Sequence, residues 1–213
     1  MKGLIALGGD LDISFGIAPL AENHEVWIAA DSGFRHYQNA GLMPQHTIGD
    51  LDSTVDWYLG KTIIHHEPDQ NSSDVDKALA LAGRLGVQSV TLVAGQGPRV
   101  DHLLGILHSL AQSELNARVV FATEVAYSVR EHQTVVIPTV PHEVISAMPI
   151  TSATLSLSGV AWPLEREQLA LGGLISLSNR ATEDHVLARC HSGFAMLFVP
   201  SNLGRASADV WSD

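Results

Sequence analysis

Hydrophobic and polar positions change their rhythm once along this chain. From Met1 to about Glu124, short aliphatic or β-branched runs ("GLIAL", "VWIAA", "HTIG", "TIIHH", "SVTLVAG", "ARVVFAT") alternate with stretches of helical spacing. Within "SSDVDKALALAGRLG", Val75, Ala78, Leu79, Ala82 and Leu85 recur at intervals of three and four and so share one helix face. Ser72 or Ser73 can cap the start of that helix, and Gly86 can end it with a left-handed residue. A second helix is expected through "DHLLGILHSLAQSE". Strands alternating with helices predict a mostly parallel sheet covered on both faces, with ligands at the carboxyl ends of its strands.

After Val125 the runs follow one another without helices: "AYSVRE", "TVVIP", "EVISAMPI", "ATLSLSG", "GGLISLSN", "HVLARCHSG" and "FAMLFVP". In "ATLSLSG" the apolar Leu155 and Leu157 alternate with Thr154, Ser156 and Ser158, the pattern of a half-buried antiparallel strand. The expected fold class is α/β plus all-β. A mostly parallel three-layer α/β domain spans residues 1–124, and an antiparallel β-sandwich domain spans residues 125–213. The polar tail "SNLGRASADVWSD" predicts loose order.

Composition narrows the function. Twelve Lys and Arg face 23 Asp and Glu, a formal net charge of −11, which argues against a grip on nucleic-acid backbone. Any phosphate this chain binds is expected to arrive with a metal ion. With 46% hydrophobic and 16% charged residues the chain fills a core and is not disordered. Its single cysteine, Cys190, cannot form an internal disulfide and reads as a plain strand residue in a reducing compartment. "MKGLIALGGDLD" reads as a first strand and not a signal segment, and no run approaches the length of a membrane span. A cytoplasmic protein without membrane or nucleic-acid partners is the expectation.

The candidate chemistry lies where predicted strands end. The chain lacks a P-loop, and "GQGPR" is too short for a dinucleotide fingerprint. In "HTIGDLDST" Asp50 and Asp52 follow a strand and stand two residues apart, so in extended chain both carboxylates point one way, with Gly49 leaving room for close approach. Hard oxygen donors that leave open positions suit Mg²⁺. The plainer reading of the same residues is a solvated turn with Ser53 as a helix cap. "PDQNSSDVDKAL" sets Asp74 and Lys77 on the first turns of a helix, either as a local ion pair or beside an anion at the helix start. "GQGPRVDH" adds Arg99, Asp101 and His102 after another strand, where Arg99 can fork onto phosphate oxygens. "AADSGF" leaves Asp31 at a further strand end. Four strand ends bearing acids on one rim point to a shared site.

"AADSG", "GDLDS", "SDVDKAL", "GPRVDH", "GVAWPL" and "SLSN", in that order, resemble the motifs of the thiamine pyrophosphokinase family. Ser32, Ser73, Pro98 and Gly105 depart from that pattern, while the acids, Lys77 and Arg99 keep it. The resemblance implies transfer of the terminal two phosphates of ATP to the hydroxyl of thiamine, giving thiamine diphosphate and AMP. It implies Mg²⁺ on Asp50, Asp52 and Asp74, with Lys77, Arg99 and Asp101 completing the catalytic set. ATP would meet Asp31, Ser32, Ser53, Gln70, Lys77, Arg99 and His102. Thiamine would meet Trp162, Ser176, Ser178 and Asn179 at the interface of a homodimer with shared active sites. For Trp162 the residues alone fit a core aromatic equally well, and no general base is assigned.

Two other readings stand beside this one. "DLDST" also fits the Asp-x-Asp-x-Thr motif of haloacid-dehalogenase-type Mg-dependent phosphatases, although "QHTIG" is a poor apolar strand for it. The other is a non-catalytic relative that binds nucleotide or thiamine as a sensor.

Overall fold

A computed structural model describes residues 1–50 and 62–212. The chain divides into two compact units, residues 1–122 and 123–213. In the first unit, strands β1 (Lys2–Ala6), β2 (Val26–Ala30), β3 (His46–Gly49), β4 (Ile63–His66), β5 (Ser89–Val93) and β6 (Asn116–Val120) pair in parallel, in the order β6-β5-β1-β2-β3-β4. Their connections include helices α1 (Ala18–Ala21), α2 (Phe34–Asn39), α3 (Asp74–Arg84) and α4 (Val100–Gln112). Because every strand runs the same way, all carboxyl ends open on one edge of the sheet. The central strands β1, β2 and β5 are buried almost throughout, as their unbroken apolar runs require, whereas edge strand β4 exposes Ile63 and Ile64.

Helix α3 begins and ends where its residues direct. Ser73 accepts a hydrogen bond from the Asp76 amide while the Asp76 carboxylate takes the Ser73 amide, a reciprocal capping box. After Leu85, Gly86 turns with φ of 78°. The apolar face is buried through Ala78, Leu79 and Ala82.

The second unit is antiparallel throughout. One group of strands, β7 (Glu124–Arg130), β9 (Val144–Pro149), β12 (Ser176–Arg180) and β14 (Phe194–Pro200), pairs in the order β12-β9-β14-β7. A five-stranded sheet, β11-β10-β13-β8-β15, combines β8 (Thr134–Pro138), β10 (Ala153–Ser158), β11 (Leu164–Leu169), β13 (His185–Ser192) and β15 (Trp211–Ser212). Its inward positions Val135, Ile137, Leu155, Leu157, Val186, Ala188 and Cys190 form a core layer, and the outward positions between them mix polar Ser156 and Arg189 with apolar Val136 and Leu187. The Cys190 thiol, pushed up to about 11 by burial, is a packing group and not a nucleophile.

Two features depart from the sequence expectation. "LEREQL" forms edge strand β11, whose solvent exposure leaves no apolar alternation to read. The tail is ordered: helix α5 (Leu203–Ser207) buries Arg205, which forks onto Glu143 and donates to the carbonyls of Pro138 and Pro200. The Trp211 indole then donates to the Ser128 carbonyl. Polar residues with buried partners look, in sequence, like residues that have none.

Burial sets an acid limit on the fold. His24 lies between the Leu20 carbonyl and the Thr91 hydroxyl, and His36 contacts the Gly9 carbonyl. Burial first, then nearby cations (Arg118 and Lys2 for His24, Arg35 for His36), holds both imidazoles below their ordinary value of 6.5. The unfolded chain therefore binds more protons, so the stabilisation is complete above pH 6.5 and is lost as pH falls through the depressed folded values. The urea midpoint is expected to drop steadily from pH 6.5 to pH 5. A flat or rising midpoint would contradict this balance.

Candidate active site

The segments that follow β1 to β5 meet at one cavity of about 640 Å³ in the first unit. Residue 31 follows β2, residue 50 follows β3, and Ala94 to His102 follow β5 and open α4. Asp31, Ser32, Asp50, Gln70, Asp74, Lys77, Arg99, Asp101 and His102 all line this space. The residues expected from the first half to act together are thus brought together, except Asp52 and Ser53, which lie outside the described residues.

The strand ends are bent to do this. Asp31 (φ 44°) and Ala94 (φ 56°) adopt left-handed backbone without being glycine, a strained conformation of the kind kept where side chains must be aimed. A Cβ on Gly49 would lie 3.1 Å from the Asp31 Cβ, so glycine lets the ends of β2 and β3 approach without displacing Asp31. The rim also includes Gly8 and Gly9, which the sequence reading passed over. A Cβ on Gly9 would meet the Gln96 carbonyl at 2.2 Å, and the "GGD" after the first strand was the available signal. Asp69 was also missed: it accepts from the Asn71 amide and the Ser72 hydroxyl and shapes the loop into α3. The Asn71 amide and then the Ser72 hydroxyl hold its carboxyl below the ordinary range.

Charge is distributed unevenly. Lys77 is 4% exposed, and its Nζ stands 3.8 Å from Asp74 Oδ1 at the cavity wall. Gln70 donates to Asp50 at 3.3 Å. Burial would raise the Asp76 carboxyl, but the Ser73 hydroxyl, the Ser109 hydroxyl and the Ser73 amide together outweigh it and keep it below the ordinary value. Arg99 does not stand open: Nε and Nη2 fork onto Asp101 at 3.2 and 2.6 Å, with both side chains 65% exposed. That pair holds the Asp101 carboxyl low, yet solvent screens it, so a more highly charged anion can compete for the guanidinium.

No three ligating acids, histidines or cysteines gather among the described residues. The donor set nevertheless fits Mg²⁺, which binds through one or two carboxylates with water and substrate phosphates completing the shell. Asp50 and Asp74 offer hard oxygens on the same cavity wall as Lys77. No thiol is among the described lining residues and His102 is their one imidazole, so ligands that favour softer metals are outnumbered by carboxylates.

The residues expected for thiamine lie in the second unit. Trp162 is 62% exposed and so is not a core aromatic. Asn179, 2% exposed, accepts from the Trp162 and Arg180 amides and donates to the Trp162 carbonyl and the Ser176 hydroxyl. All four hydrogen-bonding positions of its amide are thereby used, and the side chain fixes the backbone that presents the indole. A bulge in β12 with Ser178 at φ 56° turns Asn179 inward.

The capping box predicts a separable effect. Ser73→Ala should lower stability by about 1 kcal/mol in urea denaturation. Ser73→Thr, which keeps the hydroxyl, should lose less than half of that, and equal losses would contradict the capping role.

Two family models match this chain: "Thiamin pyrophosphokinase, catalytic domain" over residues 17–121, and "Thiamin pyrophosphokinase, vitamin B1 binding domain" over residues 132–193. A thiamine pyrophosphokinase of Bacillus subtilis is 22% identical over 194 residues, 82% of this chain and 87% of that protein. Thiamine pyrophosphokinase 1 of Arabidopsis thaliana is 27% identical over 163 residues, and there the match spans 68% of this chain and 61% of the plant protein. Among solved structures, the Bacillus subtilis thiamine pyrophosphokinase superposes with a TM-score of 0.77 at 20% identity, over 95% of this chain and 100% of that one. The yeast thiamin pyrophosphokinase gives 0.72 at 17% identity, over 96% and 87%.

Proposed function

Since this chain belongs to the thiamine pyrophosphokinase family of kinases, we propose that it transfers the pyrophosphoryl group of ATP to the hydroxyl of thiamine, yielding thiamine diphosphate and AMP. The observation that carries this reading is the convergence of Asp31, Asp50, Asp74, Lys77 and Arg99 on one cavity from separate elements of the matched catalytic region. A phosphatase with Asp50 as nucleophile is not favoured, because the matched models cover both units and neither belongs to that class.

The chain's residues divide the work by charge. Lys77, buried at the wall, supplies a fixed positive charge to the transferring phosphates. Arg99 exchanges Asp101 for phosphate oxygens when ATP enters, which makes Asp101 the residue that parks the guanidinium between turnovers. The positive end of α3 faces the same anion. Asp31, Ser32, Gln70 and His102 line the nucleotide side, to which Ser53 would add. Asp50, Asp52 and Asp74 would hold Mg²⁺, which supplies charge neutralisation at the phosphate oxygens.

On the acceptor side, Trp162 offers an indole face for the pyrimidine and Ser176 and Ser178 offer hydroxyls, with Asn179 holding Trp162 in place. Exposed Trp162, Leu174 and Leu177 supply apolar surface for a homodimer in which a partner subunit completes the acceptor site. The lone buried cysteine accords with a cytoplasmic protein. Among the described residues no helix is long and apolar enough to cross a membrane.

Incubation with ATP, Mg²⁺ and thiamine should give AMP and thiamine diphosphate in equal amounts, resolved by anion-exchange chromatography. Asp50→Asn and Lys77→Met should each reduce kcat at least a hundredfold while the far-ultraviolet spectrum stays unchanged. ADP with thiamine monophosphate, or phosphate release without thiamine, would overturn the proposal.

A further inference from the structure

The outer face of the five-stranded sheet carries a polar cluster far in sequence from the acids described above. Ser156 on β10, Arg166 on β11, and Arg189 and His191 on β13 meet there. The register shifts between Leu155 and Leu157, where β11 has an extra residue, and Arg166 takes φ of 54°. This bulge sets the Arg166 amide 3.1 Å from the Ser156 hydroxyl oxygen and its Nη1 3.2 Å from His191 Nδ1. His191 Nε2 in turn lies 2.8 Å from Ser156 Oγ, and Arg189 stands directly opposite Ser156 across the β10–β13 pair.

These contacts resemble a serine–histidine dyad, but the third member has the wrong charge. A guanidinium only donates, so Nδ1 must accept and the proton sits on Nε2. Nε2–H therefore donates to Ser156 Oγ, which also accepts the Arg166 amide. A base that is already protonated toward the serine cannot activate it. What remains is a set of donors: the Ser156 hydroxyl hydrogen has no acceptor among the described residues, and neither arginine has an acidic partner there. In a chain of net charge −11 with only 12 Lys and Arg, two arginines without acids, one on each strand that flanks β10, call for an anion.

We propose that this face is a binding site for a phosphate group, held by the Ser156 hydroxyl, the Arg166 and Arg189 guanidiniums and the His191 ring. When phosphate is absent, Arg166 rests on the neutral His191. When phosphate arrives, Arg166 turns to it and Nδ1 is released to take a proton. The charges that bear on His191 are Arg166, Arg189 and His132; after burial they hold its ring below 6.5, and no carboxylate is among them. His132 itself stands 3.5 Å from Glu131. A bound anion reverses the sign of that field, so phosphate binding and protonation of His191 assist each other. The site is independent of the transfer reaction and uses none of its residues.

The test is a proton NMR titration of the His191 Cε1–H, assigned with His191→Gln, in rising inorganic phosphate at constant ionic strength. The expected result is a saturable shift and a rise of at least half a unit in the His191 midpoint. Both should be lost in Arg166→Gln and in Arg189→Gln, two exposed positions whose variants should keep full transfer activity. Methyl phosphate is run in parallel: saturation by both ligands assigns the site to a phosphomonoester group, and saturation by inorganic phosphate alone assigns it to the free ion. No saturable shift, an equal shift in matched sodium chloride, or an undiminished shift in both variants would overturn the proposal.

Discussion

The gathering of carboxylates at the ends of parallel strands is the constraint on which the candidate site turns. A parallel sheet brings the carboxyl ends of its strands to one edge, and this chain places Asp31 and Asp50 there, with Asp74 opposite on α3. Like charges that line one cavity repel one another. An acidic chain gains nothing by crowding them unless cations answer. Lys77 answers from within the fold, with Arg99 held ready on Asp101. On the proposed function, a divalent cation carried by a polyphosphate would complete the answer, and the same acids would then select the ligand that enters.

The supporting devices follow from that need. Glycine at 49 lets two acid-bearing strand ends approach, and left-handed Asp31 and Ala94 turn the chain sharply at the rim. The Ser73–Asp76 capping box fixes where α3 starts and hence where Asp74 and Lys77 project. None of these residues needs to touch a substrate to matter. Each converts a local backbone preference into the position of a charge.

Much of this was legible from the chain because the signals are local. Periodicity marks α3, the Ser73 cap marks its start just before Asp74, and Asp31 and Asp50 directly follow strand runs. Features that depend on distant partners were not legible. Nothing near Arg205 in sequence announces Glu143, so the tail looked unstructured. Trp162 carries no mark of exposure, because the residue that fixes it, Asn179, lies 17 positions on. The Gly8-Gly9 rim was missed although its signal was present, since two glycines after a strand read equally well as a plain turn.

On the proposed function, the acids at the strand ends hold nucleotide through a shared divalent cation. Calorimetry with a non-hydrolysable ATP analogue, with and without Mg²⁺, tests it most directly. Mg²⁺ should tighten binding at least tenfold in the native chain, about 1.4 kcal/mol, and Asp50→Asn should abolish most of this gain while leaving metal-free binding unchanged or stronger. Equal affinity with and without Mg²⁺ in the native chain would contradict it.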